Sequence, residues 1–460
     1  MIESTVHDGE GRDPKVPVRD ASTLMPKQPI DRLVRPVAHF LHIEATSGIV
    51  LMICTVVAIG LANSPWADSY LSVWKTEVGF SFGSWEFQHS LRHIINDGLM
   101  ALFFFVIGLE VKRELVHGAL ADIRSAILPI AAALGGMVVP AGIYLALQYD
   151  QPAARGWGIP MATDIAFVVG CLALLGSRVP NSLRVLLLSL AIVDDIGAII
   201  VIAIGYTNDL DLRFLMLAGV GIGIVHFFSR VGIRRFPPYI VAGLVAWFAF
   251  HESGVHATLA GVILGLMTPA KATIVPSHFY EYLNSTSESF GGGDWTSFKG
   301  RAAKVREVQR LTRETVSPLE YLETTLHPWS SFLIIPVFAL ANAGVPFELA
   351  NVSDPVAIAV VLGLLVGKPV GVLLFSAVTV WLGWAKMPER LTWRILTAGS
   401  FLAGIGFTMA LFIDGLAFGD EGFDTAKTGV LIGSGLSAVC GMVLLLVMLP
   451  KAGVSRSEAS

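Results

Sequence analysis

The sequence predicts an all-α polytopic membrane protein of twelve transmembrane helices. Three observations carry this reading. Of 460 residues, 54% are hydrophobic and only 15% are charged, whereas soluble domains carry about 25% charged residues. Mean hydropathy is +0.67. Apolar segments of membrane length recur from residue 45 to residue 449, joined mostly by short polar connections. A chain so organised leaves no segment large enough for a soluble nucleotide-hydrolysing domain, and it is not read as an enzyme or a nucleic-acid partner.

Met1–Arg35 is polar and contains Pro14, Pro17, Pro26 and Pro29. It lacks the apolar core of a signal peptide, so residues 1–40 are expected to form a disordered cytoplasmic tail. The membrane domain is placed at 41–450, followed by a second cytoplasmic tail at 451–460. The twelve segments are 45–63, 96–116, 124–148, 158–176, 182–205, 212–229, 237–250, 254–270, 329–347, 355–383, 392–418 and 428–449. Two of them, 237–250 and 254–270, are short for a full crossing. With both termini in the cytoplasm, 26 of the 32 Lys and Arg residues fall on the cytoplasmic side, which is the orientation that basic residues favour.

Between the first two spans, Phe80-Ser-Phe-Gly-Ser-Trp-Glu-Phe alternates aromatic and polar residues about Gly83-Ser84. That pattern predicts a small β-hairpin on the outer side. The long connection 271–328 carries a Ser/Gly-rich stretch and then a Lys/Arg-rich one, read as a flexible insertion followed by an amphipathic or solvated helix. Cys54, Cys171 and Cys440 each lie in an apolar run without CxxC spacing and are read as buried thiols.

The chemistry-bearing residues sit inside the spans. Asp194 and Asp195 are adjacent at the centre of 182–205, ten and eleven residues beyond Arg184. At about 1.5 Å per residue that is roughly 15–17 Å, close to the middle of a hydrocarbon core about 30 Å thick. Each such Asp costs about 2.5–3.5 kcal/mol on insertion, and neighbouring carboxylates also repel. On a helix the two point about 100° apart, so no single partner satisfies both. A pair of this kind requires protons, a cation or both. Asp164 stands in Gly158-Ile-Pro-Met-Ala-Thr-Asp-Ile-Ala-Phe, where Pro160 disfavours a continuous helix. Lys368 stands in Leu365-Val-Gly-Lys-Pro-Val-Gly at the centre of 355–383. Gly399, Gly404 and Gly406 interrupt 392–418. Interrupted spans in matching positions of two halves mark a transporter's binding site. Gly363-Leu-Leu-Val-Gly-Lys-Pro resembles a phosphate-binding loop, but it is one residue short and has Pro in place of Ser/Thr.

At these residues the chain resembles the NhaA-type sodium/proton antiporters, from about Thr46 to Leu449. The matching stretches are Ile95-Asn-Asp-Gly-Leu-Met-Ala, Gly108-Leu-Glu-Val-Lys-Arg-Glu-Leu, Ala162-Thr-Asp-Ile-Ala-Phe and Ala191-Ile-Val-Asp-Asp-Ile-Gly-Ala. They continue with Ser253-Gly-Val-His-Ala-Thr-Leu-Ala-Gly, Leu326-His-Pro-Trp, Ala341-Asn-Ala-Gly-Val, Gly367-Lys-Pro and Gly404-Ile-Gly-Phe-Thr-Met. The resemblance implies inverted repeats and two discontinuous helices crossing at the midplane. It implies that Asp194 and Asp195 bind Na⁺ and carry protons, that Thr163 and Asp164, at the helix crossing, belong to the same cation- and proton-binding site, and that Lys368 balances charge. It further implies that Glu110, Arg113, Glu114, Glu323 and His327 belong to a cytoplasmic pH-sensing funnel, and that Asp97 and His256 are tied to pH response. Thr324 stands where the family often has a histidine, which implies an altered pH profile. The N-terminal tail and much of 276–316 have no counterpart in compact members. The hairpin at 78–88 matches the family's dimer contact, implying a homodimer in the bacterial inner membrane.

The resemblance implies electrogenic Na⁺(Li⁺)/H⁺ antiport with alternating access and pH regulation, with the ions as cargo and no cofactor. Three other functions fit the same buried carboxylates: a cation channel, a non-transporting pH sensor, and a symporter of an organic solute with a cation.

Overall fold

The computed structural model describes residues 44–82, 85–207, 210–233, 235–287, 298–389, 391–419 and 423–449. The predicted tails, the Gly83-Ser84 turn and residues 288–297 of the insertion lie outside the described residues.

In chain order the helices are α1 (Glu44–Ala62) and α2 (Ala67–Lys75), then, after strands β1 (Glu77–Phe82) and β2 (Trp85–Ser90), α3 (Leu91–Val116) and α4 (Ile123–Leu147). A 3-10 helix (Pro152–Met161) precedes α5 (Ile165–Leu174). There follow α6 (Asn181–Gly205), α7 (Leu212–Val231), α8 (Phe236–Glu252), α9 (Thr258–Met267), α10 (Pro276–Ser287), α11 (Phe298–Thr315) and α12 (Pro318–Asn342). The last are α13 (Pro355–Trp381), α14 (Trp393–Ala403), α15 (Phe407–Phe418) and α16 (Asp424–Met448).

Every predicted segment falls on a helix or a broken helix pair. Among the described residues, seven continuous helices are long and apolar enough to cross a membrane, or up to ten if each of three bent pairs is one span. The two short predicted segments become α8, of 17 residues, and α9, of only 10, so length alone does not give twelve crossings. The predicted span 329–347 needs correction at both ends, because α12 starts at Pro318 and stops at Asn342. Ser317 caps it by accepting from the Glu320 N–H at 3.1 Å, and Pro318 occupies the first helical position, where its missing N–H costs nothing. Glu323 and His327 are therefore helical residues within the first three turns of α12.

The two strands pair antiparallel, with Phe80 opposite Phe87 and Phe82 opposite Trp85. In the 276–316 insertion, α11 returns to the bundle through Arg313. Its guanidinium lies 5.0 Å from the ring centre of Phe236 and 5.3 Å from that of Tyr321.

Among the described residues, three spans contain a π-helical turn, at Ile95–Leu99 in α3, Ser330–Ile334 in α12 and Gly363–Gly367 in α13. The last immediately precedes Lys368-Pro369. Proline has no N–H to donate back along the helix, and the widened turn absorbs the loss without breaking α13. Helix α13 packs against α4 closely enough that a Cβ on Gly371 would stand 2.0 Å from the Gly135 carbonyl oxygen. Only glycine permits that approach, which brings the Lys368 side chain against Gly136.

Candidate ion-binding site

Two interrupted spans meet at the centre of the molecule. The 3-10 helix and α5 are separated by Ala162–Asp164 and bent by 42°. Helices α14 and α15 are separated by Gly404–Gly406 and bent by 45°. The Asp164 N–H donates to the Ile405 carbonyl at 2.7 Å, so the two irregular stretches satisfy each other's backbone in a region where an unpaired amide costs several kcal/mol. A Cβ at Gly406 would stand 3.0 Å from the Ala162 carbonyl oxygen, which makes the interruption of α14–α15 a packing requirement as well as a break.

Asp164 joins the N-termini of both half-helices. One oxygen accepts from the Phe167 N–H of α5 at 3.1 Å; the other accepts from the Thr408 N–H of α15 at 3.0 Å and from the Thr408 hydroxyl. Both helix dipoles present their positive ends to this one buried carboxylate. The exposed amides at the start of α15 are completed by Ser434, whose hydroxyl accepts from the Gly406 and Phe407 N–H groups at 3.2 and 3.1 Å.

Asp194 lies beside this crossing. Its Oδ2 accepts from Lys368 Nζ at 2.7 Å and stands 2.6 Å from the Thr163 hydroxyl. That hydroxyl is also 2.9 Å from the Ala403 carbonyl oxygen, and its single proton serves one acceptor at a time. Lys368 is 0% exposed and donates a second bond to the Met161 carbonyl. Of Asp164 and Asp194, it is therefore Asp194 that pairs with the lysine. Asp194 Oδ1 is buried with no hydrogen-bond partner among the described residues. A buried carboxylate oxygen in that state has a strong need for a proton or a cation.

Asp195, one residue on, points elsewhere. It lines a cavity of about 370 Å³ together with Thr163, Asp164, Ser189, Thr408, Glu110, Arg113, Glu114 and His327. At one end Arg113 and His327 have side chains 46% exposed; at the other Asp195 is 3% and Asp164 2% exposed. The cavity thus leads from accessible charged groups to the buried Asp195 and Asp164. Its accessible end is cross-linked: Glu323 pairs with Arg113, Arg113 with Glu114 at 3.1 Å, and His327 Nε2 stands 3.7 Å from Glu110. These contacts tie α3 to α12. Glu323 is buried behind Arg113 and does not line the cavity. Thr324 is exposed, with its hydroxyl donating to the Glu320 carbonyl at 2.7 Å.

Asp97 and His256 lie apart from this assembly. Asp97 is 3.2 Å from His251 Nδ1 and 3.6 Å from His93 Nε2. His256 lies near the backbone of Tyr206 and within the field of Asp97.

Some contributors are not predicted from sequence. Thr408 sits in the quoted motif Gly404-Ile-Gly-Phe-Thr-Met, directly after the break, where a hydroxyl side chain at a helix start is itself a signal. Asn96 and Asn342 exchange side-chain hydrogen bonds between α3 and α12, the shorter being 2.9 Å. Their pairing joins two motifs 246 residues apart. Asp414 is 0% exposed in α15 and accepts from the Phe423 N–H at 3.1 Å.

The fold and site define a multi-pass helical membrane protein built around a buried, incompletely satisfied carboxylate pair. The chain belongs to the Na+/H+ antiporter 1 family, whose model matches residues 38–445. It is 68% identical over 427 residues to the Na(+)/H(+) antiporter NhaA of Rhodopirellula baltica, covering 93% of this chain and 97% of that protein. The NhaA antiporter of Rhizobium meliloti is 50% identical over 431 residues, covering 94% and 99%.

Proposed function

We propose that this chain exchanges Na⁺ for H⁺ across a bacterial inner membrane, with Asp194 and Asp195 as the shared binding site. The observation that carries the reading is the dyad: Asp194 Oδ1 lacks a partner among the described residues, and Asp195 lines the cavity. Hard oxygen ligands suit small cations such as Na⁺ and Li⁺. Protons and cation compete for the same oxygens, so a full exchange cycle follows from one site presented alternately to the two sides. Two protons leave the dyad neutral, whereas one Na⁺ leaves a negative charge that Lys368 offsets. The two loaded forms differ in charge, and the exchange is electrogenic. Both termini, the cavity mouth at Glu110–Glu114 and His327 are assigned to the cytoplasm, and the strand pair to the outer side. Twelve crossings arranged as inverted repeats, with α8 and α9 as short spans, complete the proposed architecture. The strands at 78–88 are the proposed contact of a homodimer.

Proteoliposomes test the proposal. An imposed Na⁺ or Li⁺ gradient drives proton movement of opposite direction, and the rate responds to membrane potential. Na⁺ flux without counter-moving protons identifies a channel instead. Absence of any flux leaves a sensor, and dependence on an added organic solute identifies a symporter.

A further inference from the structure

A second cluster of ionisable side chains lies at the far end of α3 from the cavity. His89 is the second-last residue of β2, His93 stands in the first turn of α3, and His251 stands in the last turn of α8. One ring nitrogen from each lies within 4.8 Å of those of the other two, and all three side chains are half-buried. The rings are held against one another. His89 stacks on His93 with centres 4.3 Å apart, and His251 meets them edge-on at 5.8 Å. Trp247 stacks on His251 with ring centres 5.9 Å apart. The Asp97 carboxylate, 3.2 Å from His251 Nδ1 and 3.6 Å from His93 Nε2, is placed to orient both imidazoles.

We propose that His89, His93 and His251 bind one divalent transition-metal ion of the zinc class. Imidazole nitrogen suits Zn²⁺, Cu²⁺ and Ni²⁺, whereas Na⁺, Mg²⁺ and Ca²⁺ prefer oxygen. The site is therefore distinct in chemistry from the Asp194/Asp195 dyad. Nitrogens about 2.0–2.1 Å from a tetrahedral ion stand about 3.4 Å apart, so the ring nitrogens close by roughly 1.5 Å at most, and the His89 and His93 rings, stacked at 16°, also turn out of parallel so that their in-plane lone pairs converge on the ion. Three protein nitrogens leave one position for water or for the Asp97 carboxylate. As a neighbour rather than a ligand, Asp97 would instead fix the tautomer of His251 by accepting its Nδ1 proton. Because the ligands come from β2, α3 and α8, the bound ion ties the strand pair to two helices, one of which carries Glu110 at its other end.

The test uses full-length protein without a polyhistidine tag, in detergent. Zn²⁺ is titrated in competition with a chromogenic chelator, and the melting temperature is followed with and without Zn²⁺. One Zn²⁺ per chain and a higher melting temperature are expected, with no effect of Mg²⁺ or Ca²⁺. His93→Gln and His251→Gln each weaken binding by about tenfold or more, and the double variant loses it. Replacement of the exposed His278 by Gln leaves binding as in the parent. Monodispersity and retained Na⁺-driven proton movement in proteoliposomes identify variants that still fold. Wild-type protein without stoichiometric Zn²⁺, equal binding by a folded double variant, or an equal response to Mg²⁺ overturns the proposal.

Discussion

Asp164 gives both carboxylate oxygens to helix ends, whereas Asp194 gives one oxygen to Lys368 and Thr163 and leaves the other without a partner among the described residues. The two carboxylates are comparably buried, at 2% and 1% exposure, so burial does not separate them. Satisfaction does. A carboxylate held by N–H groups from two helices has its charge offset by fixed dipoles and gains little from a cation. One with a bare oxygen, beside a second carboxylate facing a cavity, has its charge offset by whatever arrives. Within the proposed function, Asp164 is therefore proposed to hold the crossing together, rather than to share in the cation- and proton-binding site as the family resemblance implies, and the Asp194/Asp195 pair to carry exchange.

The largest effect expected from this division is on transport. Asp195→Asn and the double Asp194→Asn/Asp195→Asn variant bring Na⁺-driven proton movement in proteoliposomes to background, while melting temperatures stay near that of the parent or rise. Relief of like-charge repulsion accounts for that direction. Normal exchange by the double variant would place the binding site elsewhere.

Next in size is the Lys368–Asp194 pair. Removing one member of a buried ion pair strands the other charge, at a cost of about 3–5 kcal/mol. Lys368→Met is expected to lower stability by that order unless Asp194 takes up a proton, and adding Asp194→Asn recovers most of the loss. A double-mutant cycle read by denaturation in detergent measures the coupling. Additive effects would mean that the 2.7 Å contact carries no net interaction.

Asp164→Asn sharpens the comparison from the other side. The amide oxygen keeps one helix-end hydrogen bond, and its NH₂ faces N–H donors where the second oxygen stood. A loss of about 1–3 kcal/mol follows for a buried donor left without its acceptor. Thermal melting of Asp164→Asn beside Asp195→Asn checks the assignment, since the first is expected to melt lower than the second. Equal melting temperatures would erase the distinction between a holding and an exchanging carboxylate.

Much of this was legible in the chain itself. The hydrophobic segments set the helices, and the depth of Asp194-Asp195 and Lys368 within them, together with Pro160 and Gly404–Gly406, marked the centre. Periodicity could not show which carboxylate Lys368 meets, because that depends on α13 approaching α4 through Gly371 and Gly135 in three dimensions. It could not show Ser434 or the Asn96–Asn342 pair for the same reason: single polar residues in apolar helices acquire meaning only from the helix opposite. The start of α12 was misplaced because residues 318–328 are polar enough to read as a connection, although Ser317-Pro318 is a strong helix start. The three histidines are 162 residues apart in sequence at their widest, and no spacing rule joins them.

The smallest expected effects lie at the mouth of the cavity. Exchange is expected to rise with pH because a protonated dyad has no free carboxylate for a cation and an ionised one does. On the proposed function, groups at the mouth are expected to act on that curve from a distance by changing the local charge a cation meets on entry. Glu110→Gln and Glu323→Gln are expected to move the midpoint of the activity–pH profile while the maximal rate changes little. Glu323 acts through Arg113, which loses its buried partner and turns more positive charge toward the cavity, so cation entry weakens and the midpoint rises. Thr324 is different. It is exposed, its hydroxyl is engaged by the Glu320 carbonyl, and it does not line the cavity. A histidine introduced at this position would therefore stand in solvent, where screening over a Debye length of about 8 Å limits its reach. Thr324→His is expected to leave the midpoint unchanged within measurement, and less than either glutamate variant moves it. A Thr324→His shift as large as that of Glu323→Gln would show that α12 repacks during transport and brings residue 324 into the ion path. A fall in maximal rate without a midpoint shift in the glutamate variants would place Glu110 and Glu323 in that path as well.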